Sequence, residues 1–383
     1  MLSRRTDWGF VLFIGAYILC MADALLFGYS TYAALRYSQA LSYGFRILAS
    51  VLLLAKLVRD RFYPLKTFLF MVLTGGILSL CFLRSGYSHI FYLMVLILGI
   101  RNVDVQRVLR VDFFARLFFV IFILLSGLLV IENYSTSRTG SDIVRLSVGF
   151  NHPNTLAALV LSLVLEDALL FRRKSTVVYT LVVWTIAAGV LFVTANRTSV
   201  ALMVLFPILL FLVSLKSTGN MNAFFAAAAV WSCPVAAGFS YQSMKLCRKS
   251  SLFFWLDRLS GYRFYNCQRL LNTYGIPALG QKVNLISVRI ARKTKSSIAL
   301  LDVAYLRMLI QGGPIVLLLL ISMYMRGVYC ACRENDKLLV MIFVLYALFG
   351  LIESGFNNVY MNFSLLLAAG YLYPAPVRAR KDE

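Results

Sequence analysis

Apolar runs close to 20 residues long recur from residue 9 to residue 374, with short polar islands between them. A helix needs a run of about that length to cross the hydrocarbon core of a bilayer. Twelve spans are predicted, over 9–28, 41–58, 64–83, 87–100, 113–131, 153–171, 176–196, 199–215, 223–241, 301–325, 337–355 and 359–374. The second and fourth are short or interrupted, by Arg46 and His89. The first run, Gly9 to Gly28, is longer than a signal-peptide core and no small-residue cleavage site follows it, so it is read as a retained span. The expected fold is an all-α polytopic membrane protein, one integral membrane domain over 1–383 with a large loop, 242–300, inside it.

Composition agrees with the pattern. Hydrophobic residues make up 60% of the chain and charged residues 14%, against roughly 25% charged in soluble domains. No stretch is left that could build an independent soluble core. The seven cysteines sit mostly in or beside spans, where small apolar packing is their ordinary use. Cys330-Ala331-Cys332 lacks the spacing of a zinc or redox pair, while Cys247 and Cys267 share one loop and can pair if it faces an oxidising space.

Charge orients the spans, because short cytoplasmic loops collect Lys and Arg. Arg4 and Arg5, the group Lys56, Arg59, Arg61 and Lys66, the group Arg101, Arg107 and Arg110, and Arg172, Arg173, Lys174 and Lys216 fall on one side. Arg326, Arg333 and Lys337, then Arg378, Arg380 and Lys381, join them, which puts both termini inside. The opposite short loops hold only Arg36, Arg84, Arg138, Arg145 and Arg197. Three polar islands then face outward: Gly149–Thr155, Asn196–Thr198 and Glu353–Asn358. Loop 242–300 also faces outward, although it carries Lys245, Arg248, Lys249, Arg258, Arg263, Arg269, Lys282, Arg289, Arg292, Lys293 and Lys295 against Asp257. Long loops translocate regardless of charge. Its interleaved Phe253, Phe254, Trp255, Tyr262, Phe264 and Tyr265 suit a segment at the membrane interface, or the binding of an anionic headgroup or a sugar.

The islands offer chemistry. Pro153 is placed to begin a helix, so His152 stands at the helix mouth, where the dipole favours a neutral imidazole able to take a proton. Asn151, His152 and Asn154 can equally serve as a helix cap, and the residue types alone lean that way. Arg145, Arg197 and Arg263 each lie near a membrane edge, suited either to phosphate oxygens or to interfacial snorkelling. Glu353 is an acid at the end of an apolar span: a base, a partner for an arginine, or half of a structural ion pair. Asp302 opens a span and reads first as a cap. Asp23 and Glu166-Asp167 within spans suit pairing with an arginine of a neighbouring helix, such as Arg46 or Arg116; a proton path is the other reading. His89 reads as interfacial. Walker loops, GxSxG, HExxH and DxD pairs are absent from the sequence, which argues against a cytosolic nucleotide-sugar substrate.

Arg145 followed by Gly149-Phe150-Asn151-His152-Pro153-Asn154 resembles the "R…GF-x-HPN" signature of bacterial surface-polysaccharide polymerases, the Wzy-type members of the O-antigen polymerase and ligase superfamily. Thr194 to Ser199 resembles their "T-x-SRTS" element, with Asn196 where serine is usual. Ser260-Gly261-Tyr262-Arg263 resembles "sGR" with one residue inserted, and Tyr274-Gly275 to Leu279-Gly280 resembles a "pl-G" turn. Asp302 to Tyr305-Leu306 with Gly312-Gly313 resembles "D-x-x-YL…GG", and Glu353 with Asn357 and Phe363 resembles a late "E…N…F" element. The likeness runs from about residue 100 onward.

The resemblance implies a metal-independent, cofactor-free glycosyltransferase that polymerises undecaprenyl-pyrophosphate-linked repeat units of a capsule or exopolysaccharide at the outer face of the cytoplasmic membrane. Arg145, Arg197 and Arg263, with Asn154, Asp302 and Tyr305, would bind pyrophosphate and glycan, and His152 or Glu353 would be the base. The implied partners are the lipid-linked oligosaccharide, the lipid bilayer, and a flippase and chain-length regulator, with no nucleic acid. An O-antigen-ligase-like transfer to another acceptor fits the same motifs. A flippase or exporter of lipid-linked oligosaccharide would instead carry its cations within the spans.

Overall fold

The computed structural model describes residues 7–60, 62–129, 135–137, 144–174, 176–215, 219–286 and 299–373. Arg4, Arg5, Arg61, Arg138, Lys216, Arg289, Arg292, Lys293, Lys295, Arg378, Arg380 and Lys381, used above for orientation and loop charge, lie outside the described residues.

Asp7 starts the first helix by accepting the N–H of Phe10, and α1 (Trp8–Ala22) continues into a π turn at Asp23–Gly28. There follow α2 (Ser38–Arg59), α3 (Leu65–Ser85), α4 (Ser88–Gly99) and α5 (Val105–Leu129). Two short strands, β1 (Ser135–Ser137) and β2 (Val144–Leu146), pair antiparallel with Arg145 opposite Thr136. The chain then builds α6 (Pro153–Leu170), α7 (Val177–Thr194), α8 (Arg197–Leu215) and α9 (Ala223–Leu246). Beyond α9 come α10 (Ser251–Ser260) and α11 (Arg263–Tyr274), a short α12 (Ala304–Arg307), then α13 (Pro314–Arg333), α14 (Lys337–Phe349) and α15 (Ser364–Gly370).

Eight of these helices are long and apolar enough to cross a membrane: Trp8–Gly28, α2, α3, α6, α7, α8, α9 and α13. The protein is a multi-pass membrane protein, helical almost throughout. Burial separates centre from rim. The α6 window is 72% buried, against 17% to 22% for α2, α3, α7 and α9. Exposed Phe, Leu, Val and Trp side chains on those four helices form an apolar outer wall that suits lipid contact.

Several expected spans differ. The one over 301–325 is broken: α12 passes into a π turn at Met308–Gly312, and α13 starts afresh at Pro314 and runs to Arg333. Gly313 has φ +87°, and Pro314 has no N–H to continue the previous helix. The freed carbonyls find partners, since Gly280 N–H donates to Gly312 at 3.0 Å and Gln281 N–H to Gln311 at 3.0 Å. The last expected span, 359–374, holds only the seven-residue α15, preceded by a 3-10 turn at Ser354–Asn357. Asparagine side chains take over local backbone groups there, Asn358 accepting from Tyr360 N–H at 2.9 Å and Asn362 from Ser364 N–H at 3.2 Å. α4 and α14 are short, with 12 and 13 residues.

The in-span charges are paired. Arg46 donates to Asp23 at 2.6 Å, and Tyr92 donates to the same carboxylate at 2.7 Å. Arg116, fully buried, binds Glu166 at 2.8 Å and also Asp112, which accepts from Tyr17 at 2.9 Å. Pairing offsets the cost of removing such charges from water. His89 is buried rather than interfacial, its Nε2 2.7 Å from the Tyr29 hydroxyl. Cys247 and Cys267 are both buried free thiols, so the pairing that their shared loop would allow is not formed.

Candidate active site

The segment Gly149–Asn154 is fastened from two directions. Phe150 forms a β-bridge with Ser30, Asn151 N–H donates to Tyr29 at 2.9 Å, and Thr31 N–H donates to Gly149 at 2.9 Å. On the other side Gly149, at φ +80°, lies against Gly127 of α5; a Cβ on either glycine would stand far inside van der Waals contact of the other segment's backbone. Two glycines at one crossing let the backbones meet, and only glycine adopts this φ without penalty.

His152 is the N-cap of α6. Its Nδ1 accepts the N–H of Asn154 at 3.1 Å, with Pro153 as the first helical residue. That bond places the proton of the neutral ring on Nε2, which is left as a donor. The ring is exposed by surface area, yet protein atoms lie near enough to desolvate its charged form. Desolvation there pushes its pKa down to about 4; Asp302 opposes this, and Arg145 and Arg263 reinforce it. The unfolded chain therefore binds the proton first. Stability is level above about pH 6.5 and falls as pH drops towards about 4. His152→Asn keeps a capping oxygen and should flatten the fall in thermal midpoint between pH 6.5 and 5, as melts in detergent would show. An unchanged slope would remove His152 as its source.

Glu353 is the hub. It is 7% exposed, just beyond α14, and burial pushes its carboxyl above the ordinary range while the Arg263 guanidinium opposes the shift. Arg263 opens α11 and contacts it at 3.1 Å, also donating to the Ile352 carbonyl. Asn154 Nδ2 donates to both carboxylate oxygens, at 3.4 Å each, and Asn196 Nδ2 to Oε1 at 3.4 Å. Arg145 lies behind them: it donates to Asn154 Oδ1 and, through Nε, to the Thr194 carbonyl at 2.7 Å. Arg145 thus ties two islands together and orients the Asn154 amide towards Glu353. Asp257, buried in α10, accepts the N–H of Phe264 at 2.9 Å and so anchors the start of the helix that carries Arg263.

Other expected residues fall elsewhere. Asp302 does not cap a helix, since Val303 is the N-cap of α12; it acts through space on His152, Arg263 and Glu353. Tyr305 is buried with its hydroxyl committed to the Ala347 carbonyl at 2.8 Å, its ring on Phe356 and against a largely apolar cavity of about 470 Å³ shared with Tyr241, Leu309 and Pro314. Arg197 is exposed outside the Glu353 cluster. It lines a separate groove of about 660 Å³ with Val144, Leu146, Leu191, Phe192, Val193 and Ala195. Asn196, which stands beside Arg197 in the outward island but is not among the expected site residues, is a member of the site through its amide on Glu353. Among the described residues no group of three or more His, Cys, Asp or Glu side chains is placed to hold a metal ion.

The arrangement can hold an acid in a fixed orientation, with Arg263 upon it, Arg145 behind it, and a separate groove beyond Asn196 at Arg197. Comparison with protein-family models, curated proteins and solved structures finds no match, so the conclusion rests on the geometry: a predominantly helical, multi-pass membrane protein with distant polar segments gathered on one carboxylate.

Proposed function

We propose that this protein is a lipid-linked-sugar glycosyltransferase that extends a capsule or exopolysaccharide chain at the outer face of the bacterial cytoplasmic membrane. The observation that carries the reading is the convergence of Asn154, Asn196 and Arg263, from three regions of the chain, on Glu353. The Lys and Arg distribution in short loops supports both termini inside and this end of the bundle outside. Twelve passages follow if α4, α5, α14 and α15 with its flanking turns complete the eight longer spans.

In this reading the acceptor sugar hydroxyl attacks the anomeric carbon of the growing glycan. The new bond is carbon to acceptor oxygen. The bond that breaks joins that carbon to undecaprenyl pyrophosphate, which leaves with the electron pair. The hydroxyl proton passes to the Glu353 carboxylate, because the capped His152 keeps its free nitrogen as a donor. Arg263 is paired with Glu353 and Arg145 is engaged by Asn154 and the Thr194 carbonyl, whereas Arg197 is exposed and, among the described residues, makes no ion pair. Its groove, otherwise apolar, suits a polyprenyl chain with its pyrophosphate at the rim. The in-span cations Arg46 and Arg116 are neutralised by carboxylates, which speaks against a cationic transport cavity.

Deleting the gene and analysing lipid-linked intermediates tests the reading. Single repeat units accumulating on the outer face support it; units trapped inside would indicate a flippase, and full-length chains left on the lipid a ligase. Arg197→Ala should lower chain growth on the order of 100-fold, as loss of one charge-stabilising donor does. Its thermal midpoint should stay put, since among the described residues Arg197 makes no ion pair. Normal growth in that variant would end its assignment.

A further inference from the structure

α10 lies outside the bundle and turns an apolar face outward. Leu252 is 59%, Trp255 56% and Leu259 57% exposed, at the i, i+3, i+7 spacing of one helical stripe. The opposite face is engaged. Phe253 packs on Phe239 of α9 with ring centroids 6.2 Å apart, and Asp257 is buried, its carboxylate taken by the N–H of Phe264 and by Ser260. The helix packs against a surface already read as lipid-facing, because Trp231, Val235 and Phe239 of α9 are exposed and Phe253 sits on the last of them. Phe239 is seven residues short of the end of α9, about 10 Å at 1.5 Å per residue. α10 therefore folds back to the level where α9 leaves the hydrocarbon. The flanking charges are of one sign: Lys245, Lys249 and Arg258 are exposed, Arg248 stands over the Tyr265 ring at 3.9 Å, and among the described residues from 242 to 286 the acid is the buried Asp257.

We propose that α10 is an interfacial anchor whose Leu252–Trp255–Leu259 face docks into the bilayer surface beside the candidate site, with anionic lipid headgroups against Lys245, Lys249 and Arg258. An amphipathic helix with an apolar stripe and a basic rim binds such a surface by burying the stripe and pairing the rim. The inference is independent of the reaction assigned to Glu353.

Tryptophan quenching in vesicles tests it on the full chain. The protein and its Trp255→Phe variant are reconstituted in phosphatidylglycerol or phosphatidylcholine carrying brominated acyl chains. The difference between the two proteins isolates Trp255 while the other three tryptophans stay in place. Bromines near the headgroup end should lower the Trp255 emission about twofold, and bromines near the methyl end less, as for a ring at the interface. The effect should be larger in phosphatidylglycerol. No quenching at either depth overturns the anchor, leaving the helix in water or under protein. Equal quenching in the two lipids overturns the anionic-headgroup part. The variant folds as the wild type does if both elute alike in detergent, which the exposure of Trp255 leads us to expect.

Discussion

Glu353→Gln should abolish chain growth and lower stability by about 3 kcal/mol, the cost of leaving one member of a buried ion pair without its partner. The amide keeps the shape of the side chain and can still accept from Asn154 and Asn196. It can neither take a proton from a hydroxyl nor neutralise Arg263, whose side chain is only 16% exposed. Activity is read as polymer length on membranes and stability as thermal unfolding in detergent. The two losses separate in the double variant. Adding Arg263→Gln removes the stranded cation, so stability should largely return while chain growth stays absent. Normal polymer from Glu353→Gln would refute the base assignment. Failure of the double variant to recover stability would mean that the pair is not the source of the loss.

Gly149→Ala should cost more than about 3 kcal/mol, near the upper end for one substitution. Two effects add. A left-handed residue with a Cβ costs roughly 1–2 kcal/mol. The methyl would also overlap the carbonyl oxygen of Ile123 and the backbone of Gly127, so the loop or α5 must move. Gly86 supplies the control: it has φ +65° with nothing within 4 Å of a Cβ, so Gly86→Ala should show the conformational penalty alone. A thermal midpoint for Gly149→Ala no lower than that of Gly86→Ala would exclude the crossing as a stabilising contact. Because Gly149 holds His152 and Asn154 in place, the larger loss should come with lost chain growth.

Parts of this molecule follow from local chemistry. A run of about 20 apolar residues has few places to go but a bilayer, and there the backbone must bond within its own helix, so α2, α3 and α7 lie close to the runs 41–58, 64–83 and 176–196. The pairing of Asp23 with Arg46 and of Glu166 with Arg116 follows from the cost of an unpaired charge in a span. The cap formed by His152 follows from Pro153, which marks the first turn.

Other parts depended on where helix ends meet in space. A polar residue at the end of a span is marked as lying near the membrane edge, but its direction around the helix axis is set by the neighbours that pack against it. For that reason Arg197 and Asn196, adjacent in the chain, go separate ways: the asparagine onto Glu353 and the arginine into an outer groove. It is also why Arg145, alike in composition and placement, became a tie between two segments. The break at Gly312-Gly313-Pro314 is of the same kind. Its residues permit a break anywhere in a loop, but the backbone of residues 277–281 packing into it made that break stable inside the bundle. Sequence by itself determined that the chain is built of apolar helices of membrane-crossing length, through hydrophobic length and the cost of buried charge. Tertiary structure alone decided which polar ends share a carboxylate, because that choice belongs to packing among helices far apart in the chain.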